Sequence, residues 1–165
     1  MPASSSLLYL HGLESTSQSG KARLFAVRYP GMLTPDFVGD FDERMTQLEA
    51  ILGGQRNWTL LGSSFGGLMA AVFALDHATQ VRRLVLLAPA LVLPPFVERA
   101  VSEVCPVPTV VVHGSQDDII PPAPVLDLCR KVFSQLEYVP VEDDHRLHRS
   151  FLELDWDRLL EWNSR

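Results

Sequence analysis

Short runs of apolar residues alternate along the chain with longer segments in which apolar positions recur every three or four residues. Several short runs are apolar at every position, a pattern typical of strands that are buried on both faces of a parallel sheet. These runs predict strands at residues 6–12, 57–64, 82–89, 108–115 and 136–143, with a weaker candidate at 31–35.

The longer segments predict helices, and several of them have recognisable ends. Asp40 and Glu43 have the spacing of an N-terminal capping pair, and one face of the helix that follows contains Phe41, Met45, Leu48 and Leu52. Prolines precede a helix that we predict over residues 123–135. Ser150 and Glu153 form a second capping pair, and the continuous helix that we expect after them turns four residues inward: Leu152, Trp156, Leu159 and Leu160.

The regular alternation of strands and helices predicts one α/β domain over residues 1–165, with a mostly parallel, doubly wound sheet of about six strands. In open sheets of this kind, ligands bind beyond the carboxyl ends of the strands. The residues that follow each predicted strand are therefore the first candidates for chemistry.

The composition narrows the range of partners. The net charge of −6 argues against nucleic acid or an anionic membrane as the main partner. No apolar run approaches the roughly 20 residues that a membrane span needs. The first residues lack the basic start and the long apolar stretch of a signal peptide, so we expect a cytoplasmic protein with reduced cysteines.

The stretch LLGSSFGGLMA joins a predicted strand to a strongly apolar helix and contains the motif G-x-S-x-G. Ser64 is the central residue, between Gly62 and Gly66, whereas Ser63 lacks glycines at that spacing. In this motif a sharp strand-to-helix turn holds the serine hydroxyl above the sheet, and side chains two residues to either side would clash. The motif in this context predicts Ser64 as a nucleophile, with a purely structural turn as the alternative.

A serine nucleophile needs a base, and the chain has five histidines. His145 lies in the loop after the last predicted strand, where an imidazole can reach over the sheet. It is the predicted base, with His148 as the alternative. His11 and His113 each precede a glycine at a strand end, where a histidine more often packs or binds a loop, and His77 lies far along the helix from the predicted nucleophile.

Asp117 is the predicted partner of His145, because the H-G-x-x-D spacing returns its carboxylate over the end of the strand. Asp118 would then face solvent or cap the next helix. The order of serine, aspartate and histidine in the sequence is that of the α/β-hydrolases. An oxyanion hole would use the backbone N–H of Phe65, directly after the nucleophile, and that of Leu13, after the first strand.

With these motifs in place, the chain resembles a small α/β-hydrolase and, more narrowly, the YqiA-like esterases. The resemblance is carried by LLYLHGLESTSQSGKA, LLGSSFGGLMA, HGSQDDIIP and EDDHRL, which together span residues 7–147. It implies hydrolysis of small-molecule carboxylic esters or thioesters without a cofactor, with Ser64, Asp117 and His145 at the family's triad positions. The sequence departs from the narrower pattern at residues 13–14, where phenylalanine and asparagine are expected.

Larger α/β-hydrolases insert a lid where this chain has only the short segment 90–107. We therefore expect a minimal fold with no cap domain and an open site. Three apolar residues of this segment are candidates for lining an acyl pocket, with packing on the sheet as the alternative: Leu91, Leu93 and Phe96.

Other functions stay open at this point. A relative of this fold can bind a ligand or a protein partner without catalysis, and the same triad can serve a cofactor-free lyase or peroxidase. A metal site could also use the polar cluster that follows the last strand, although such a cluster is more often a solvated turn: Glu142, Asp143, Asp144, His145 and His148. The sequence contains no P-loop and no dinucleotide fingerprint, and we expect neither a metal nor a cofactor.

Overall fold

A parallel sheet of five strands forms the centre of the structure, a computed structural model that describes residues 6–162. The strands lie side by side in the order of the sequence: β1 (Ser6–Leu10), β2 (Trp58–Ser63), β3 (Val81–Leu87), β4 (Thr109–Gly114) and β5 (Leu136–Val141). Every neighbouring pair is parallel. The carboxyl ends of all five strands therefore meet at one end of the sheet.

Helices connect the strands. They are α1 (Gly20–Arg28), α2 (Phe41–Leu52), α3 (Phe65–Asp76), α4 (Pro94–Val97), α5 (Pro122–Val132), α6 (Ser150–Glu153) and α7 (Trp156–Leu160), with a short 3-10 turn at Ala78–Gln80. The predicted capping pair of α2 is present: the Asp40 side chain accepts from Glu43 N, and the Glu43 side chain accepts from Asp40 N. The sequence pattern thus located the start of α2 correctly.

The sheet is covered on both faces because the chain changes direction after α1. Leu33 forms a single parallel bridge with Leu8 at the edge of β1 that faces away from β2. Its backbone accepts from Tyr9 N at 2.9 Å and donates to Leu7 O at 2.9 Å. The chain crosses one face of the sheet through α1 to reach this edge, and then crosses the other face through α2 to reach β2.

Each face of the sheet has its own hydrophobic core. The first core packs α2, α3, α4 and α5 against one face, and α3 is buried at every position from Gly66 to Ala74. The second core packs α1, α6 and α7 against the opposite face, where Phe25 contacts the rings of Tyr9, Phe151 and Trp156. The predicted doubly wound parallel architecture is therefore confirmed. Among the described residues, only α4 and turns lie between β3 and β4, with no cap domain.

The weak strand predicted at residues 31–35 does not form, so the described sheet has five strands where about six were expected. Pro30 and Pro35 flank the segment, and neither can donate a backbone hydrogen bond. The pairing is limited to Leu33 as a result.

The single C-terminal helix predicted after Ser150 is also wrong. The helix stops at Glu153, and a second short helix begins at Trp156, with Asp155 as its N-cap accepting from Arg158 N. Ser150 does not cap α6; instead, Asp143 Oδ2 accepts from Ser150 N at 2.8 Å. The break leaves Leu152 72% exposed, whereas the other three residues expected to face inward are buried: Trp156, Leu159 and Leu160.

The structure adds α1, which was not predicted. Ser19 caps this helix by accepting from Ala22 N at 3.2 Å, and its buried face contains Ala22 and Phe25. None of the helices within residues 6–162 combines the length and the apolar character that crossing a membrane needs.

Candidate active site

Ser64 stands at the sharp turn between β2 and α3, with a positive φ of 53°. Few non-glycine residues adopt this backbone conformation. A Cβ at Gly62 would collide with the backbone of Gly66, and a Cβ at Gly66 would collide with the Leu10 carbonyl. The two glycines of the motif therefore let α3 start directly against β1 and β2, and Ser64 is presented beyond the sheet.

Ser64, Asp117 and His145 come together at the carboxyl ends of three strands. His145 Nε2 lies 3.0 Å from Ser64 Oγ, and His145 Nδ1 lies 2.7 Å from Asp117 Oδ2. Because the ionised carboxylate can only accept, Nδ1 carries the proton and Nε2 is left to accept from the serine hydroxyl. This arrangement can activate a serine oxygen as a nucleophile.

The carboxylate of Asp117 is held by four donors. Oδ1 accepts from the backbone N–H groups of Ile119 at 2.9 Å and Ile120 at 2.8 Å. Oδ2 accepts from His145 and also lies 3.0 Å from His113 Nε2. Burial acts to raise the pKa of Asp117, but its hydrogen bonds with His145, Ile120 and Ile119 outweigh burial and hold the pKa below the usual value. The group is thus ionised and fixed in orientation.

His113 also contacts the Asp117 carboxylate. Its side chain is fully buried, and Nε2 lies 2.9 Å from the carbonyl of Ile120 as well as 3.0 Å from Asp117. Both neighbours are acceptors, so Nε2 carries the proton. Two imidazoles therefore donate to the same carboxylate oxygen, and no sequence motif indicates the contact of His113.

The loops after β4 and β5 bring Asp117 and His145 together. Gly114 lies so close to the backbone of Asp143 and Asp144 that a Cβ there would collide with both carbonyls. Gln116 N donates to Asp143 O at 3.1 Å. The two loops that carry Asp117 and His145 are therefore in direct contact.

The competing candidates take other positions. Asp118 is exposed, and the exposed His148 ring points to Asp144, with Nδ1 3.9 Å from Oδ2. Ser63 is the last residue of β2, and His145 Nε2 contacts the hydroxyl of Ser64. His11 is buried, where Nδ1 donates to Gly12 O and Nε2 accepts from Phe37 N.

Asp143, in the acidic segment after β5, stabilises the loop through hydrogen bonds with backbone N–H groups. The Asp143 carboxylate accepts from the backbone N–H groups of Asp144, Arg149 and Ser150. Burial acts to raise the pKa of Asp143, but these hydrogen bonds, led by that of Ser150, lower it to about 2. Within residues 6–162, no three His, Cys, Asp or Glu side chains are grouped as metal ligands would be.

The predicted oxyanion donors are the backbone N–H groups of Leu13, which lines the same cleft as Ser64, and of Phe65, which directly follows Ser64. Leu13 follows Gly12, where an added Cβ would lie 3.7 Å from the Cβ of Ser64, and Phe65 is the first residue of α3. Neither N–H donates to another residue among those described. Both therefore remain free to donate to a ligand, and their role as oxyanion donors stays a prediction.

Arg44 joins the two segments that carry these N–H groups. Its guanidinium donates to Leu13 O at 3.3 Å and to Gly39 O at 2.9 Å, and it lies 5.5 Å from the centre of the Phe65 ring. The side chain comes from the buried face of α2. No sequence motif marks this residue.

A cleft of about 790 Å³ opens at Ser64 and His145. Its walls come from the loop after β1, the start of α1 and the chain after His145. Three of the apolar side chains that line it are well exposed: Leu13 by 52%, Ile119 by 63% and Leu152 by 72%. Tyr9 lies at its base, where burial raises the pKa of the phenol to about 12 despite hydrogen bonds with Ser63 and Ser19.

The three residues expected to line an acyl pocket are not part of this cleft. Leu91 and Phe96 are fully buried in the first core, and Leu93 packs against that core. Phe96 stacks on Phe133, with ring centres 5.9 Å apart. Because Leu91 and Phe96 are buried and Leu93 packs against the same core, the interpretation of this segment as a pocket wall is wrong and the packing alternative holds.

A comparison with protein families matches residues 17–104 to a model of the alpha/beta hydrolase fold. The matched segment contains Ser64, whereas Asp117 and His145 lie beyond it. No curated protein matches the sequence.

Solved structures share the fold over most of the chain. A protein of the alpha/beta hydrolase superfamily from Xanthomonas campestris is 27% identical, with a TM-score of 0.72 over 90% of this chain and 91% of that one. An alpha-beta serine hydrolase homologue from Coxiella burnetii is 19% identical, with a TM-score of 0.72 over 99% and 88% of the two chains. A monoacylglycerol lipase from Paleococcus ferrophilus is 16% identical, with a TM-score of 0.67 over 94% and 92%. At these identities, the last two show the fold alone.

Proposed function

The chain belongs to the alpha/beta hydrolase fold family, and from that premise we propose that it is a serine hydrolase that cleaves carboxylic esters or thioesters of small molecules. The observation that carries the proposal is the hydrogen-bonded chain from Ser64 through His145 to Asp117, with distances of 3.0 Å and 2.7 Å. It opens into a cleft that is partly lined by apolar side chains, which suits an acyl or alkyl group.

The first half of the proposed reaction acylates the serine. Ser64 Oγ attacks the substrate carbonyl while His145 Nε2 takes its proton, and Asp117 stabilises the imidazolium that forms. The N–H groups of Leu13 and Phe65 stabilise the negative charge that develops on the carbonyl oxygen. The tetrahedral intermediate then collapses, and His145 returns the proton to the departing alcohol or thiol.

The second half releases the acid. Water attacks the acyl-serine carbonyl and gives its proton to His145 Nε2. Collapse of the second intermediate expels Ser64 Oγ, which recovers that proton. The fixed position of Asp117, held by backbone donors on Oδ1 and two imidazoles on Oδ2, suits a group that keeps one charge state through the cycle.

The first test is covalent labelling with a fluorophosphonate, followed by intact mass and peptide mapping. We expect one adduct, on Ser64, in the wild-type protein and none in Ser64→Ala. Ser63→Ala is the matched control and should still be labelled, because the hydroxyl that His145 Nε2 contacts is that of Ser64. Turnover of 4-nitrophenyl esters and acyl thioesters should fall by about four orders of magnitude in Ser64→Ala.

Absence of labelling on folded wild-type protein would contradict the proposal and favour a ligand-binding relative of the fold. An adduct with no turnover of any ester or thioester would leave an activated serine but reject ester hydrolysis as its use. In that case, lyase or peroxidase chemistry with the same residues is the next hypothesis to assay.

A further inference from the structure

Two cationic side chains face the cleft beside His145. Lys21 lies in the first turn of α1, and Arg146 directly follows His145 in sequence; both line the cleft. Lys21 Nζ donates to the backbone carbonyl of Arg146 at 2.6 Å and lies 5.4 Å from the centre of the Phe151 ring. The lysine is thus held against the loop that carries His145.

Neither cation has an ion-pair partner in the part of the chain that the structure describes. No carboxylate of residues 6–162 lies within 4.0 Å of the Lys21 or Arg146 charge. Among the described residues that line the cleft, Glu14 is the one with a carboxylate, and His148 lines the cleft as well. A chain of net charge −6 therefore has a cleft in which cations outnumber anions.

The environment of Lys21 disfavours its own charge. Partial burial and the positive charge of Arg146 lower the pKa of the ammonium, and Asp144 and Asp143 offset this in part. An anion bound between the two cations would restore the lost solvation and remove their repulsion. The pair is consequently arranged as an anion site would be before its ligand binds.

We infer that Lys21 and Arg146 bind an anionic group on the leaving alcohol or thiol of the substrate, an inference that rests on the proposed hydrolase function. His145 must deliver its proton to the leaving atom, so the leaving half of the substrate lies on the His145 side of the cleft. That is the side on which Arg146 and Lys21 stand. The substrate class is therefore an ester or thioester whose leaving group carries a carboxylate or a phosphate.

The test compares two probes that differ in charge at one position. They are 4-carboxyphenyl hexanoate, with an anionic leaving group, and 4-carbamoylphenyl hexanoate, its neutral isostere. The wild-type protein should hydrolyse the anionic probe with a kcat/KM about fivefold to tenfold higher, as expected of a partly screened charge pair. The preference should shrink when the salt concentration rises from about 0.05 M to 0.5 M.

The variants are Lys21→Gln, which keeps an N–H donor for the Arg146 carbonyl, and Arg146→Gln. Each should lower the ratio of the two kcat/KM values towards one. A role of Lys21 in merely holding the loop would lower both values together and leave the ratio unchanged. Lys131→Gln is the control, because Lys131 is the other lysine of the chain and lies exposed on α5.

The outcomes separate this inference from the proposed function. If neither probe is hydrolysed above the rate of Ser64→Ala, the hydrolase proposal fails. If both are hydrolysed with equal kcat/KM, or if the ratio survives in both variants, the anion inference fails while the hydrolase proposal stands. A second pair of probes, mono-(4-nitrophenyl) adipate and 4-nitrophenyl hexanoate, places the charge on the acyl half of the substrate. A preference for the anion in this second pair alone would also overturn the inference.

Discussion

Arg44 is buried, yet within residues 6–162 it has no carboxylate partner. It instead donates to two backbone carbonyls, and its Nη1 has no hydrogen-bond partner. A buried charge without a counter-ion is unfavourable for stability. Because Arg44 contacts Leu13 O and the Phe65 ring, we expect it to position the two N–H groups of the proposed oxyanion hole.

Arg44→Met should therefore reduce catalysis more than stability. We expect kcat for 4-nitrophenyl hexanoate to fall by about tenfold to a hundredfold with little change in KM, because loosened donors stabilise the transition state less. The midpoint of urea unfolding should move little, since methionine removes a buried charge as well as its hydrogen bonds. Steady-state kinetics and urea unfolding on the same samples measure both effects.

Arg56→Met is the matched control, because Arg56 is exposed. It should leave both measurements unchanged. An Arg44→Met variant with wild-type kcat would show that the loop after β1 holds its position without the arginine.

At the scale of single residues, the sequence indicated the positions of Ser64, Asp117 and His145, because each follows a recognisable strand at an informative spacing. It did not indicate Arg44, which occupies one position in a polar segment of an amphipathic helix. It also did not show that His113 donates to Asp117. Both depend on the direction of a side chain across the fold, and sequence spacing does not contain that information.

At the scale of elements, the C-terminal region depends on a cap that the sequence pattern did not identify. Asp155 starts α7, which buries Trp156, Leu159 and Leu160 in the second core. Asp155→Ala should lower the free energy of unfolding by about 1 kcal/mol, the usual effect of removing an N-cap. Glu153→Ala removes the expected partner of Ser150, which forms no capping box, and should change stability by less than about 0.5 kcal/mol.

Urea unfolding followed by far-UV circular dichroism measures both variants. Equal destabilisation by the two substitutions, or a larger effect of Glu153→Ala, would contradict the assignment of Asp155 as the cap.

The sequence predicted well those elements whose hydrophobic pattern fits only one kind of secondary structure. Four of the five strands consist mainly of buried apolar residues, as a parallel sheet covered on both faces requires, whereas the edge strand β5 alternates between partly buried and exposed positions. The segment at 31–35 lies between prolines, and the end of the chain has two possible caps within six residues, Ser150 and Asp155. The local sequence pattern does not choose between such alternatives. At the start of α6, the Asp143 carboxylate accepts from the N–H groups of Arg149 and Ser150, so Ser150 is not needed as a cap.

At the scale of the whole molecule, the two-sided winding separates the core under α4 from the cleft. Phe96 belongs to the first core, whereas Leu152 lines the cleft and is exposed. Apolar residues therefore pack the core on one side and line the cleft on the other, although the sequence pattern does not distinguish the two positions.

Phe96→Leu should destabilise the fold by about 1–2 kcal/mol, because it leaves a small cavity in the core. It should not alter the preference among 4-nitrophenyl esters of different acyl length. Leu152→Ala should do the opposite, raising KM for the longer esters while the unfolding midpoint stays nearly constant. Thermal unfolding and a chain-length series test the pair, and a changed length preference in Phe96→Leu would mean that α4 borders the substrate after all.

The positive φ of Ser64 has a cost in folding stability that the proposed reaction requires. Glycine adopts this conformation with little strain, whereas an L-residue with a side chain is disfavoured there by about 1–2 kcal/mol. A chain selected only to fold would accordingly place glycine at position 64, and that chain would have no hydroxyl to offer. The packing of α3 against the sheet holds serine in a conformation that it does not favour by itself, so part of the stability of this molecule is permanently committed to keeping one oxygen in place.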